Sequence, residues 1–253
     1  MRCGLVLFLF ALALSSSAGC GGTIGETQGG TADFDRAKAA FDRGDYLDAV
    51  IDFKAYIEFF PGTERTDDAL FYLGEAYMHQ KDYALASGQF DRLLRDFPAS
   101  QFQPDALFEL ARCDDLQSRG ALLDQSETER ALGRYNQFLE QYPADPKAKD
   151  AQARIQALRD RLAEKKLRTG RLYYKLHVEE ASAMSLRSVL TDFADSKWAP
   201  EAALLLADVL VRQGKHEEAI ETLKRLQASV PEGEIRRRAD ERLRILERSG
   251  TSR

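Results

Sequence analysis

Apolar and polar residues along this chain fall into two short helical patterns set back to back, and the pair recurs. In residues 67–98, Leu70, Leu73, Gly74 and Tyr77 stand at i, i+3, i+4 and i+7. After a break at Lys81-Asp82, Leu85, Ala86, Phe90, Leu93 and Leu94 keep the same spacing, which is the signature of one buried helix face. Numbered from Asp67, the landmarks are Leu73 (7), Gly74 (8), Tyr77 (11), Tyr83 (17), Ala86 (20), Phe90 (24) and Pro98 (32). Small residues at 8 and 20 predict that the two helices cross closely there, since a larger side chain would force the axes apart. Proline at 32 stops the second helix.

Moved along the chain, the same frame finds Ala37, Ala40, Tyr46, Ala49, Phe53 and Pro61 upstream, and Ala207, Leu210, His216, Ala219, Leu223 and Pro231 downstream. Two further copies are interrupted. One opens at Pro104 with Phe108, Leu110 and Ala111, and its second helix (Ala131, Tyr135, Phe138, Pro143) arrives eight residues late. The other is the most degenerate, with Gly170, Tyr173, Ser182, Leu186, Val189 and Ala194 in the key positions. These landmarks resemble the tetratricopeptide repeat. The expected fold is therefore all-α, an α-α superhelix of five repeats in which each repeat buries its faces against its neighbours.

Each first helix begins with a short lead-in, at Thr63, Ser100, Asp145 and Ser196, that offers a capping side chain and keeps acid or proline within the first turn. The late second helix of the third repeat follows an insertion around residues 120–126, closed by a candidate capping box Ser126-x-x-Glu129. Residues 146–175 predict one long helix, with Ala148, Ala151, Ile155, Leu158 and Leu162 as its stripe. The fourteen extra residues amount to nearly four turns, so the buried face returns to its own side. A last helix to about Arg248, with Ile235, Ala239, Leu243 and Leu246 on one side, reads as the cap that ends the solenoid. Within it, Arg236-Arg237-Arg238 is either a solvated face or a contact for lipid head groups or an acidic partner.

Residues 1–19 read as a secretory signal, with Arg2, the apolar run 5–14 and small residues before Cys20. Ten apolar residues are too few to span a bilayer. The sequence Ser17-Ala18-Gly19-Cys20 resembles a bacterial lipoprotein signal, in which Cys20 is the lipid attachment site and the mature N-terminus. Ser17 stands where leucine is commonest, which leaves cleavage near Ala18 as the other reading. Residues 20–32 predict a flexible tether, 33–145 the first three repeats, and 146–253 the last two with the long helix and cap. Once the signal is removed and Cys20 carries lipid, Cys113 is the one thiol left, expected as a small buried residue.

With 36 Lys and Arg against 41 Asp and Glu the net charge is −5, which argues against nucleic acid as the main partner. His79, His177 and His216 lie far apart without ligands at metal spacing. No phosphate loop or nucleophile elbow is present, so neither a metal, a cofactor nor an enzymatic activity is expected. The acidic pairs Asp114-Asp115, Glu179-Glu180 and Glu217-Glu218 are expected on wet helix surface, because adjacent side chains on a helix diverge. In tetratricopeptide folds position 5 of the first helix faces the groove, and here it is Phe34, Phe71 and Phe108, each 37 residues apart. Positions 9 and 12 add Lys38, Glu75, Met78 and Arg112. Together they make a candidate peptide-binding groove, the alternative being that the three rings simply pack between repeats.

The lipoprotein signal, the five repeats, the stretch Asp124-Gln125-Ser126-x-Thr128 and the run Ala153-Arg154-Ile155-x-x-Leu158-Arg159-Asp160-Arg161-Leu162-Ala163-Glu164-Lys165 together resemble the BamD family of outer-membrane assembly lipoproteins. Ala194 departs from the pattern by replacing a repeat-ending proline. The resemblance implies a periplasm-facing, lipid-anchored subunit of the β-barrel assembly (BAM) machinery. It implies N-terminal repeats that bind unfolded barrel proteins and C-terminal repeats that dock on the core subunit BamA, beside accessory lipoproteins. A general periplasmic tetratricopeptide scaffold in cell division or peptidoglycan synthesis is the other class of function the repeats allow.

Overall fold

The structure, a computed structural model, describes residues 28–118, 120 and 123–250. Among these residues eleven α-helices follow one another: α1 Gln28–Asp42, α2 Tyr46–Phe59, α3 Thr66–Gln80, α4 Tyr83–Asp96, α5 Gln103–Gln117, α6 Ser126–Gln141, α7 Ala148–Lys175, α8 Glu179–Asp192, α9 Ala199–Arg212, α10 His216–Ser229 and α11 Glu234–Gly250. Each packs on the next. First helices also touch across repeats, α1 on α3, α7 on α9 and α9 on α11. Five helix pairs and a capping helix are the repeats and cap that the pattern predicts, and α7 is the long helix.

The break between the helices of a repeat has one geometry. Gly44, Lys81, His177 and Gly214 all take positive φ, at 83°, 64°, 59° and 74°. The residue after each donates its N–H five residues back, as in Asp82 to the Tyr77 carbonyl and Val178 to the Tyr173 carbonyl, both near 3 Å. That is the Schellman closure of a helix end. Ser118 holds the same position in the third repeat but is extended, with φ −64° and ψ 138°. The chain there leaves α5 without turning back, and the insertion follows.

The lead-in side chains do not cap the helix N–H groups themselves; three of the four bond the N–H of the residue just before the helix, and the Thr63 hydroxyl donates to the Phe60 carbonyl at 3.2 Å. Ser100 and Ser196 Oγ accept the N–H of Phe102 and Trp198 at 3.1 and 3.2 Å, and Asp145 Oδ1 accepts that of Lys147 at 2.7 Å. The capping box at Ser126 does not form. Asp124 instead accepts from both the Ser126 hydroxyl and its N–H, while Thr128 bonds Gln125 at 3.0 Å inside the turn.

Close crossing at position 8 is real, and its partner is position 24. A Cβ on Gly74 would lie 2.6 Å from the Phe90 ring, and one on Gly170 would lie 2.8 Å from Leu186. The apolar residues gather into three clusters. The first joins α1 to α4 with Ala106, Leu110 and Cys113 of α5. The second joins Phe108 and Ala111 to Tyr135, Phe138, Ala151 and Leu158. The third runs from Ala163 and Leu167 to Leu246. Thus α5 and α7 each feed two clusters, and the solenoid has no seam at residue 145.

Helix α1 begins at Gln28, so the last five residues assigned to the tether, 28–32, are helical, with Gly30 buried against the Phe60 ring. The signal and Cys20 lie outside the described residues. Cys113 is buried beside Met78, sulfur to sulfur 3.2 Å, and burial pushes its thiol up to about 12.

Candidate functional site

The groove residues separate by depth. Phe34 is 1% exposed and sits edge-on to Phe53 and Tyr56 of its own repeat. Phe108, 4% exposed, does the same against Tyr135 and Phe138. Phe71 is half-buried, tilted on Phe90 and stacked on Phe102 at 4.4 Å. The three rings therefore form no contiguous exposed ladder. Position 5 points at the second helix of its repeat, and a ring there fills the space between the two.

Each ring is also covered from the following lead-in. The Arg65 guanidinium lies 3.8 Å above Phe34, Phe102 stacks on Phe71, and Lys147 Nζ stands 5.1 Å above Phe108. Arg65, Phe102 and Lys147 share one register, two residues after Thr63, Ser100 and Asp145. These covering residues were not singled out in the sequence, although that constant offset is legible in it.

The charged members come together better. Lys38 of α1 bonds Asp42 at 2.6 Å and reaches over the Tyr72 ring of α3 at 4.7 Å. Glu75 of α3 is largely buried, and its Oε1 has no hydrogen-bond partner. Burial first, and the neighbouring Glu109 carboxylate second, push Glu75 up to about 7, while Arg112 and Lys147 pull it back. Arg112 bonds the buried Glu109 at 2.9 Å, and Lys147 bonds Asp105 at 2.6 Å. Met78 is buried, its sulfur against that of Cys113. This side of repeats 2 and 3 thus carries three carboxylates, one of them with an unpartnered oxygen, and two cations that pair with the other two. Such a set can take backbone N–H groups or a charged end of an extended peptide.

Asp114 and Asp115 are not on a wet surface. Asp114 is 2% exposed and bonded to Arg134 of α6 at 2.6 Å, with Arg130 at 3.5 Å. Asp115 turns the other way, to Arg154 and Arg161 of α7 at 3.2 and 3.7 Å. Adjacent side chains do diverge on a helix, and because α5 is packed on both sides each finds a different neighbour. Arg161 also bonds the Ser118 hydroxyl, and Lys165 the Leu123 carbonyl, so α7 holds both ends of the insertion. Among the described residues no cluster of three potential ligands could hold a metal, and no helix is long and apolar enough to cross a membrane.

The outer membrane lipoprotein family designated YfiO matches residues 30–226. The outer membrane protein assembly factor BamD of Caulobacter vibrioides is 29% identical over 178 residues, covering 70% of this chain and 58% of that protein. BamD of Haemophilus influenzae is 24% identical over 206 residues, 78% and 79% of the two chains. The chain thus spans little more than half the length of the first relative and about four fifths of the second. Among solved structures, the TPR2AB domain in the complex of yeast Sti1 with an Hsp90 peptide is similar at TM-score 0.47 and 11% identity, over 88% of this chain and 84% of that one. Because the family match runs without a break from α1 into α10, taking in the insertion and the long α7, the chain belongs to the YfiO family of outer membrane lipoproteins.

Proposed function

We propose that this chain is a non-enzymatic adaptor in outer membrane protein assembly. Its N-terminal repeats bind unfolded barrel proteins, its C-terminal repeats dock on the barrel core subunit BamA, and acylated Cys20 holds it on the periplasmic side of the outer membrane. Membership of the family supports the assembly role. The observation that carries substrate binding is Glu75, a largely buried carboxylate whose Oε1 is unpartnered amid Glu109, Arg112 and Lys147. A buried acceptor left open is costly unless a ligand completes it. On this reading Lys38, Phe71 and Arg112 contact the peptide, and Phe34, Phe108 and Met78 hold the first helices that present them.

Two measurements test the reading. Co-purification of the tagged chain with the barrel core subunit is expected; capture of cell-division or peptidoglycan proteins in its place would favour the general scaffold. Titration with a peptide from a barrel protein's C-terminal strand is expected to lose affinity in Arg112→Ala and Phe71→Ala, by the ~2 kcal/mol typical of a hot spot. Wild-type affinity in both folded variants would move recognition elsewhere.

A further inference from the structure

The register that covers position 5 continues into the fourth repeat and ends differently there. Trp198 stands two residues after Ser196, as Arg65, Phe102 and Lys147 do after their lead-ins, and position 5 of the repeat it follows is Leu167, not phenylalanine. In repeats 1–3 the cover lies directly on a ring. In the fourth, Leu167, Leu172 and Trp198 line an open cavity of about 620 Å3 along the second half of α7. Leu172 is 55% exposed, and the buried Trp198 Nε1 has no hydrogen-bond acceptor.

The rim is cationic beyond what the protein neutralises. Arg168 pairs with Glu164 one turn back on α7. Arg171 reaches Glu201 at 3.4 Å, but Arg238 already holds that carboxylate through both oxygens at 2.8 and 3.2 Å. Lys175 has no carboxylate partner among the described residues, and its exposed ammonium stands on the cavity wall. Three cations, Arg168, Arg171 and Lys175, therefore stand on the wall with one carboxylate, Glu164, while the Glu201 that Arg171 reaches is shared with Arg238.

From this we infer that the cavity between α7 and Trp198 is a docking site for an acidic segment of a partner protein that presents an aromatic or bulky aliphatic side chain. The apolar side chain enters beside Trp198 and Leu172, where the ring of the other repeats is missing. Its flanking carboxylates meet Lys175, Arg168 and Arg171. An exposed apolar patch rimmed by one sign of charge is the form such sites take.

Trp198 is the chain's single tryptophan, so its fluorescence reports this site alone. The test titrates the full chain with acetylated, amidated Asp-Phe-Asp-Leu-Asp and, in parallel, with Lys-Phe-Lys-Leu-Lys. The acidic peptide is expected to give a saturable change at least tenfold stronger than the basic one, weakening as salt rises from 50 to 300 mM. Lys175→Glu combined with Arg168→Glu should weaken it at least fivefold. Both positions are exposed and the reversed charges cost the helix little, so circular dichroism should match wild type; Leu172→Asp, also exposed, repeats the test through the apolar floor. No saturable response, an equal response to the basic peptide, or unchanged affinity in both variants would overturn the proposal. So would a response only to vesicles containing phosphatidylglycerol, which would make the rim a lipid contact. None of these outcomes bears on co-purification with the core subunit.

Discussion

At the scale of single residues, contact distance decides what a glycine is for. Gly74 faces the Phe90 ring at 2.6 Å from where a Cβ would stand, whereas nothing lies within 4 Å of the equivalent point on Gly88. Both are helical, so alanine brings each a propensity gain of up to about 1 kcal/mol. At Gly74 that gain opposes an overpacking cost of ~1–3 kcal/mol against a fully buried ring. In urea titrations Gly74→Ala should therefore lower stability, and Gly88→Ala should raise it. Glu75 makes the residue-scale case for charge. Its carboxyl is raised from 4.5 to about 7 by burial and by Glu109, so below about pH 4.5 it is protonated whether folded or not. As pH rises from there towards 7, the unfolded chain releases the proton and the folded chain holds it. The stability this group contributes is thus present in acid and lost by pH 7. Glu75→Gln should be more stable than wild type at pH 8, by on the order of 1–3 kcal/mol, with the difference fading by pH 4.5. A gap independent of pH would refute the assignment.

Among the elements, α7 carries the most structure. Its 28 residues place Ala151 and Leu158 in the middle cluster and Ala163 and Leu167 in the C-terminal one, and its arginines hold Asp115, Ser118 and Asp195. Continuous helix is what couples the two halves. Leu158→Pro removes a helix bond and clashes with the preceding turn, at about 3 kcal/mol or more. Thermal unfolding of the wild type is expected as one transition, and the variant's as two, with the C-terminal pairs melting apart from the rest. One transition in the variant would mean that the remaining contacts across α6 and α7 suffice. The helix itself was legible from fourteen added residues keeping an apolar stripe. The lids Arg65, Phe102, Lys147 and Trp198 were not singled out, because what a lead-in residue covers depends on the previous repeat, 31 to 39 residues away.

For the whole molecule, the proposed anchor at Cys20 would leave very little chain between the membrane and the first repeat. Helix α1 begins at Gln28, and seven residues after Cys20 extend at most ~25 Å. With Cys20 acylated, repeat 1 is therefore held close to the bilayer, and more than one lipid chain is needed for a stable hold. Cys20→Ser is expected to move the protein from the membrane fraction to the soluble periplasm on cell fractionation. Unchanged fractionation would show that protein contacts suffice to hold it there.

Periodicity in the sequence determined the helices, their pairing and the cap, because 3.6-residue spacing and small residues at positions 8 and 20 are local properties that hold wherever the chain is folded. The same reading left position 5 open between a peptide groove and packing between repeats and put Asp114-Asp115 in solvent; tertiary structure buries Phe34 and Phe108 and pairs both aspartates. Which side of a helix is wet depends on how many neighbours pack on it. Phe34 and Phe108 lie between the two helices of their repeat under a cation from the next lead-in, and the two aspartates of α5 reach arginines of two different helices, α6 and α7. Burial also turned Glu75 from a rim charge into a carboxylate titrating near neutrality. Spacing along one helix carries the direction in which a side chain leaves it, and only the packed neighbours fix what it meets there.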